Sequence, residues 1–378
     1  MQVSKIMKIK KFIILLICTV ILTACGAEPR ILERISITTL LGYDLEEDDK
    51  LTATITVRQV SPDDKSSIET QSNTENTSFG TRIKVDLQTA KKIMVGQLRV
   101  ILIGNELAHS NIERVLKTTM MNSEISSSIY IAVAEGSAQE IIEGNYENIT
   151  DIGLHVYNLI HQNVVSQHSI SSTLHEIVRN DYSPFRDIAI PIVKKNDQII
   201  SIKGLALFNK SKMVGELSST DAFYVIMLRD KFKAGAVELS LPGNTLNNNR
   251  DKDDKLEVAI NSIQSKRSIK LVDPSAVEFD INISIKCRLV ELNSNEDTGR
   301  EKIINKLEEA ISEELEKEIA RVIKITQEKN SDIFGFGDVY HARVRNSGLT
   351  EDKWYEMYPN AKMNPKVKVE IIRNGTFE

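Results

Sequence analysis

The first 25 residues constrain this chain more than any other stretch. Four lysines (Lys5, Lys8, Lys10 and Lys11) precede an uncharged apolar run from Phe12 to Leu22, which closes on Leu22-Thr23-Ala24-Cys25. The run is about half the length of a bilayer-spanning helix, and its basic flank holds to the cytoplasmic side during export. It reads as a signal peptide and not as a transmembrane anchor.

Small residues beside the cut and a cysteine just after it make the tetrad resemble a lipobox, in which Cys25 is diacylated and becomes the mature N-terminus. The alternative is an ordinary secretion signal with a chance cysteine. Residues 1–24 are then the signal peptide, residues 25–30 a lipidated tether, and the remaining chain hangs from a membrane. A single fatty chain binds only marginally, whereas a diacylated cysteine stays put. Cleavage removes four of the 48 basic residues and none of the 53 acids, leaving a formal net charge of −9. With no basic tract and no basic-aromatic alternation, nucleic acid is not an expected partner. Cys18 leaves with the signal and Cys25 takes the lipid, so Cys287 stands alone, which excludes a disulfide framework. It falls on the apolar side of a strand pattern and reads as packing.

Roughly 350 mature residues exceed one ordinary domain. The hydropathy pattern predicts an α+β chain of mixed and antiparallel sheets packed with helices. Strands are expected over Ile35–Leu41 and Leu51–Val60, the second with a threonine-rich wet face, followed by a polar exposed loop from Pro62 to Phe79. A helix over Asp86–Met94, a buried strand over Leu98–Ile103, a helix from Ile112 and a strand over Ile129–Ala134 come next. Ser137 and Glu140 have the spacing of a capping box, and helices follow over Asp151–Gln167 and Leu174–Val178. A boundary near Tyr182-Ser183-Pro184 divides an N-terminal α+β domain, 31–183, from a C-terminal α+β domain, 184–378, open to further subdivision. The second begins with a meander (Ile188–Val193, Ile199–Phe208, Lys212–Leu217) and a helix capped by Ser219 or Thr220. An exposed loop spans Asn244–Lys255. Strict alternation marks Val277–Leu289 as a strand, and steps of three and four mark Lys302–Thr326 as a long amphipathic helix. Lys366–Ile372 closes the chain as a strand.

Nothing in the pattern supplies an active site. His155, His161, His168 and His175 lack zinc-ligand spacing, no Gly-x-Ser-x-Gly occurs, and Gly335-Phe336-Gly337 is a turn and not a phosphate cradle. Glu308, Glu309, Glu313 and Glu314 read as a solvated helix face. No cofactor and no metal is expected.

Several short motifs, taken in order, carry a resemblance. Asp332-Ile333-Phe334-Gly335-Phe336-Gly337 follows the long helix, then come Trp354, Tyr358-Pro359 and the closing strand Val367–Ile372. Gly204-Leu205-Ala206-Leu207-Phe208 runs into Met213-Val214-Gly215-Glu216-Leu217; upstream stand Leu41-Gly42-Tyr43-Asp44, Leu98–Leu107 and Ser137–Ile142. With the lipobox, the chain resembles the GerC-type lipoproteins of spore germinant receptors over nearly its whole mature length. It departs from them at Thr118-Thr119-Met120-Met121-Asn122, where an Arg-Asp pair is usual, and at Glu216, where a tryptophan is usual.

The resemblance implies a non-enzymatic subunit on the outer face of the spore inner membrane. It would act with A-type and B-type integral-membrane subunits in a complex that senses a small-molecule nutrient and triggers germination. In that setting Phe334 and Phe336 are either anchors of a partner contact or rings that pack the turn against the preceding helix, the reading we favour. Two other classes share the anchor. A solute-binding lipoprotein of a transport system would alternate strands with helices in parallel units, and a lipid-anchored hydrolase would need a nucleophile motif.

Overall fold

The computed structural model describes residues 35–59, 67–89, 91–233, 235–246, 251, 253–294, 296 and 300–372. The signal peptide, the tether and Cys25 lie outside them. The described residues build two sheets and ten α-helices.

The first sheet has nine strands: β1 (Ile35–Leu45), β2 (Leu51–Gln59), β3 (Ser67–Glu75), β4 (Lys92–Met94), β5 (Val100–Ile103), β6 (Tyr130–Ala134), β7 (Ala189–Asn196), β8 (Ile199–Asn209) and β9 (Lys212–Ser218). Their order is β3-β2-β1-β5-β6-β7-β8-β9, with β4 beside the start of β1. Its centre, β1-β5-β6-β7, is parallel, and antiparallel strands flank it on both sides. Helices cover both faces, as a parallel centre requires. These are α1 (Ser78–Gln88), α2 (Asn105–Ser110), α3 (Glu113–Met120), α4 (Ala138–Ile142), α5 (Ile152–Val165) and α6 (Leu174–Asp181).

Three expectations change here. The polar stretch after Pro62 is in part the edge strand β3, held by Thr52–Thr74 and Thr54–Ser72 hydroxyl contacts of 2.7 and 3.0 Å. The threonine face of β2 is not wet: Thr54 and Thr56 are fully buried. The helix expected over Asp86–Met94 sits earlier, as α1, and Lys92–Met94 is the short strand β4. Strands β7–β9, which follow residue 183, continue the first sheet.

The second sheet, in order β10-β11-β12-β13, combines Val237–Pro242, Lys255–Asp273, Glu278–Leu292 and Lys362–Ile371. Before it comes α7 (Asp221–Arg229), and between β12 and β13 come α8 (Glu301–Glu328), α9 (Phe336–Arg343) and α10 (Glu351–Met357). Helix α8 buries Leu307, Ile311, Leu315, Ile319 and Val322 against the sheet. Cys287 is packed in that core, where burial raises its thiol to about 12.

Helix α8 also closes the edge of β13. Glu316, Ser312 and Glu308 accept the backbone N–H of Val367, Val369 and Ile371 at 2.7, 3.2 and 2.7 Å. Four residues of helix advance about 6 Å and two residues of strand about 6.6 Å, so the two repeats stay in step. Glu308 is therefore an edge guard and not part of a solvated face. Replacing Glu308 and Glu316 together by alanine is expected to cost about 2 kcal/mol and to speed hydrogen exchange at Val367 and Ile371 selectively. Exchange mapped by mass spectrometry or NMR checks this; unchanged protection at both amides would contradict it.

Candidate functional site

The two halves meet at a buried pair of aspartates. Helix α8 ends at Glu328, and the chain turns through Asn330 in the left-handed region before Asp332, which is 0% exposed. One carboxylate oxygen of Asp332 accepts Gly335 N–H at 2.8 Å and Phe336 N–H at 3.1 Å. The other accepts Gly337 N–H at 2.8 Å and the Trp354 indole N–H at 3.1 Å. The loop thus folds around its own first side chain, and Gly335, at φ 77°, makes the turn without a Cβ in the way.

Asp187, just before β7, completes the joint. Its backbone N–H donates to the Asp332 carbonyl at 2.9 Å, and the Asp332 N–H donates to the Asp187 carboxylate at 2.7 Å. The second Asp187 oxygen accepts Lys210 N–H at 2.9 Å and the Tyr355 hydroxyl at 2.6 Å. Around this core Asp338 takes bonds from Ser183 and Arg186 at 3.0 and 2.9 Å. Asn209 donates to the Asn330 carbonyl at 2.6 Å, and the Ser331 hydroxyl donates to the Phe208 carbonyl. Residues 183–210 are in this way stitched to residues 330–355.

Burial, opposed by the N–H donors and reinforced by the neighbouring Asp187 carboxylate, raises Asp332 to about 7. Burial likewise raises Asp187 to about 6, against the Tyr355 hydroxyl bond. Both values exceed the usual 3.8. The folded state therefore holds protons that the unfolded chain has released. The stability this contributes is full below about pH 4 and is lost as pH rises through about 6 and about 7. In Asp187→Asn the fall in unfolding free energy between pH 4.5 and pH 7.5, measured by urea titration, should shrink by about 2 kcal/mol. Parallel pH profiles for the two proteins would refute the shift.

The joint floors a polar cleft of about 490 Å³ lined by Glu113, Asp181, Arg186, Lys210, Glu351 and Tyr355, among others. Lys210 pairs with Glu351 at 3.1 Å and lies 5.4 Å from the Tyr355 ring centre. The cleft has the donors and acceptors to hold a polar group or a partner loop, among them the Ser211 hydroxyl, which donates to Asp181 at 2.9 Å. Among the described residues no group of three or more His, Cys, Asp or Glu is placed to hold a metal, and no helix is long and apolar enough to cross a membrane.

Phe334 and Phe336, offered above as contact anchors, are 3% and 0% exposed. Phe336 lies 5.4 Å from Phe279 and 6.4 Å from Tyr358, and Phe334 5.7 Å from Phe336. The packing reading is the one the structure gives. Trp354 and Tyr358 belong to the same aromatic cluster, 5.7 Å apart, and Tyr358 is tied to α8 through Thr326 at 2.7 Å. The upstream motif has a parallel logic: Asp44 accepts Ala138 N–H at 2.8 Å and Gln139 N–H at 2.9 Å, and takes the Ser137 hydroxyl at 3.0 Å. The α4 cap is thus shared between Ser137 and Asp44, 93 positions before it. The capping box with both bonds in place is instead Thr173 with Glu176, at the start of α6.

Both aspartates, then, hold loops closed from the inside, and comparison with known proteins matches both halves of the chain. The description "Spore germination protein N-terminal domain" matches residues 28–195, and "Spore germination B3/ GerAC like, C-terminal" matches residues 203–375. The chain belongs to the GerC-type spore germination receptor family. The spore germination protein GerQC of Bacillus cereus is 24% identical to this GerC-type chain over 370 residues, covering 98% of it and all of the relative. Spore germination protein YndF of Bacillus subtilis (strain 168) is 22% identical over 310 residues, 78% of this chain and 72% of the relative. The crystal structure of the GerBC protein shares the fold, with a TM-score of 0.55 at 16% identity, over 88% of this chain and 97% of that one.

Sequence reasoning singled out the Asp332–Gly337 segment of this GerC-type chain but weighed its phenylalanines and passed over its aspartate. Two glycines three and five residues after an acid were the available signal for a carboxylate held by backbone N–H groups. Asp187 and Tyr355 carried no such signal.

Proposed function

We propose that the chain is the lipoprotein C subunit of a spore nutrient-germinant receptor. It is anchored through diacylated Cys25 to the outer face of the spore inner membrane and acts with two integral-membrane subunits, without catalysis of its own. The observation that carries this reading is the pair of germination-family matches, which together run from residue 28 to residue 375 with a short gap. The Leu22–Cys25 tetrad supports the anchor, and the stitched joint supports a body whose two halves move together. Tethering replaces a bimolecular search for the partners with a high effective concentration.

A solute-binding lipoprotein is the rival. The parallel centre of the first sheet removes the sheet-direction argument against it, so the family match is what disfavours it. Affinity purification of the tagged full chain from detergent-solubilised spore membranes separates the two. Co-purification of two multispanning proteins, with a diacylglycerol mass on the Cys25 peptide, is expected. Recovery with a transport ATPase and its permease, or recovery alone, would overturn the receptor assignment.

A further inference from the structure

Helix α1 turns Ser78, Thr81 and Val85 inward and leaves Phe79, Ile83 and Leu87 exposed by 60%, 46% and 77%. Steps of four residues align the three side chains in one stripe along the outer face. The other exposed apolar side chains, such as Val165, Ile199 and Val272, are spread over separate elements. Such scattered residues need no explanation, whereas a regular stripe does. Met120 and Met121 end α3, which packs beside α1, and Met121 is 87% exposed.

The helix is framed by cations. Arg82 lies on one flank of the stripe and Lys84 on the other, and Lys91 and Lys92 follow the helix. Asp86 is the one acid between residues 78 and 92, so the segment carries +3 in a chain of net charge −5. Lys84 also reaches Glu75 at 3.3 Å.

The position of the helix names its occupant. Lys92, four residues past α1, pairs with Ile35 at the start of β1. Ten residues separate Ile35 from Cys25, a span of about 35 Å at full extension. A lipid on Cys25 therefore keeps the bilayer within about 35 Å of the corner of the domain where the stripe ends. An apolar stripe edged by Lys and Arg is the form of helix that lies in a membrane interface and prefers anionic headgroups.

We propose that α1, together with Met120 and Met121, lies on the anionic membrane surface as a second point of attachment. The proposal rests on the Cys25 lipidation reading for its geometry. One flexible tether leaves the body free to tumble; a second contact fixes which face the integral-membrane partners meet.

The test uses the full, processed chain purified from membranes, with Ile83→Cys labelled by a polarity-sensitive fluorophore. Acylation blocks Cys25 and burial shields Cys287, so the label reports the stripe. On phosphatidylcholine vesicles containing phosphatidylglycerol, a blue-shifted emission quenched by lipid-borne quenchers is expected, with a smaller shift on phosphatidylcholine alone. Adding Phe79→Ser and Leu87→Ser should weaken the response about ten-fold without moving the melting temperature, because neither side chain supports the core. Emission indifferent to both vesicle types would overturn the proposal. So would a shift seen only in membranes that contain other proteins. The mass of the N-terminal peptide reports Cys25 separately, so failure of the anchor and failure of the stripe are distinguishable.

Discussion

Asp332→Ala is expected to lower stability by about 4 kcal/mol or more. The substitution removes the acceptor of four N–H groups, those of Gly335, Phe336, Gly337 and the Trp354 indole, at a site from which water is excluded. A buried donor left without a partner costs about 1–3 kcal/mol, and relaxation of the loop recovers part of the sum. Asp332→Asn should cost roughly half as much, because its carbonyl still accepts while its amide faces two N–H groups. The single tryptophan, Trp354, sits in the joint, so urea unfolding followed by its emission reads the site directly. Circular dichroism on the same samples tells whether the joint opens before the sheets do. An Asp332→Ala midpoint equal to that of the parent protein would mean that the bonds around Asp332 are not what holds the halves together.

Gly337→Ala should be nearly as damaging, for a steric reason. A Cβ at this position would lie 2.6 Å from the Trp354 indole nitrogen and 2.8 Å from the Phe185 carbonyl oxygen. The indole is 1% exposed and held by Asp332, and the carbonyl is backbone, so neither neighbour yields cheaply. A loss of about 3 kcal/mol is expected. Gly335→Ala is the informative control. Its φ of 77° costs about 1–2 kcal/mol for any L side chain, but the atom its Cβ would meet is the Arg186 guanidinium, the far end of a long side chain that can move. Gly337→Ala should therefore unfold at clearly lower urea than Gly335→Ala. The reverse order would place the strain in the backbone turn and not in the packing against Trp354.

Much of the chain was legible because its periodicity is clean. The alternation of β12 and the three-four steps of α8 gave both elements within a few residues. Strand β11 was not seen, although at 19 residues it exceeds β12 in length. Its buried side chains run Leu256, Val258, Ile260 and then Ile263 and Ser265, because a bulge with Ser262 at φ 51° shifts the phase by one residue. Strand β3 was read as a loop because Ser67–Glu75 is almost wholly polar; the hydroxyl contacts that hold it depend on which threonines of β2 lie opposite. The joint fared differently. Its loop stood out as a motif, yet Asp187 and Asp332 are 145 residues apart, and only the fold puts their carboxylates and amides together.

The measurement that bears most directly on the receptor reading is dipicolinic acid release from spores challenged with a panel of nutrients. Spores of the source organism lacking this chain would be complemented with the wild-type protein or with Cys25→Ala. Loss of response to particular nutrients, restored by the wild type, weakened in Cys25→Ala, and accompanied by normal germination through a receptor-independent trigger, is the predicted result. Normal release from the deletion strain with every nutrient, in a background stripped of its other germinant receptors, would contradict it.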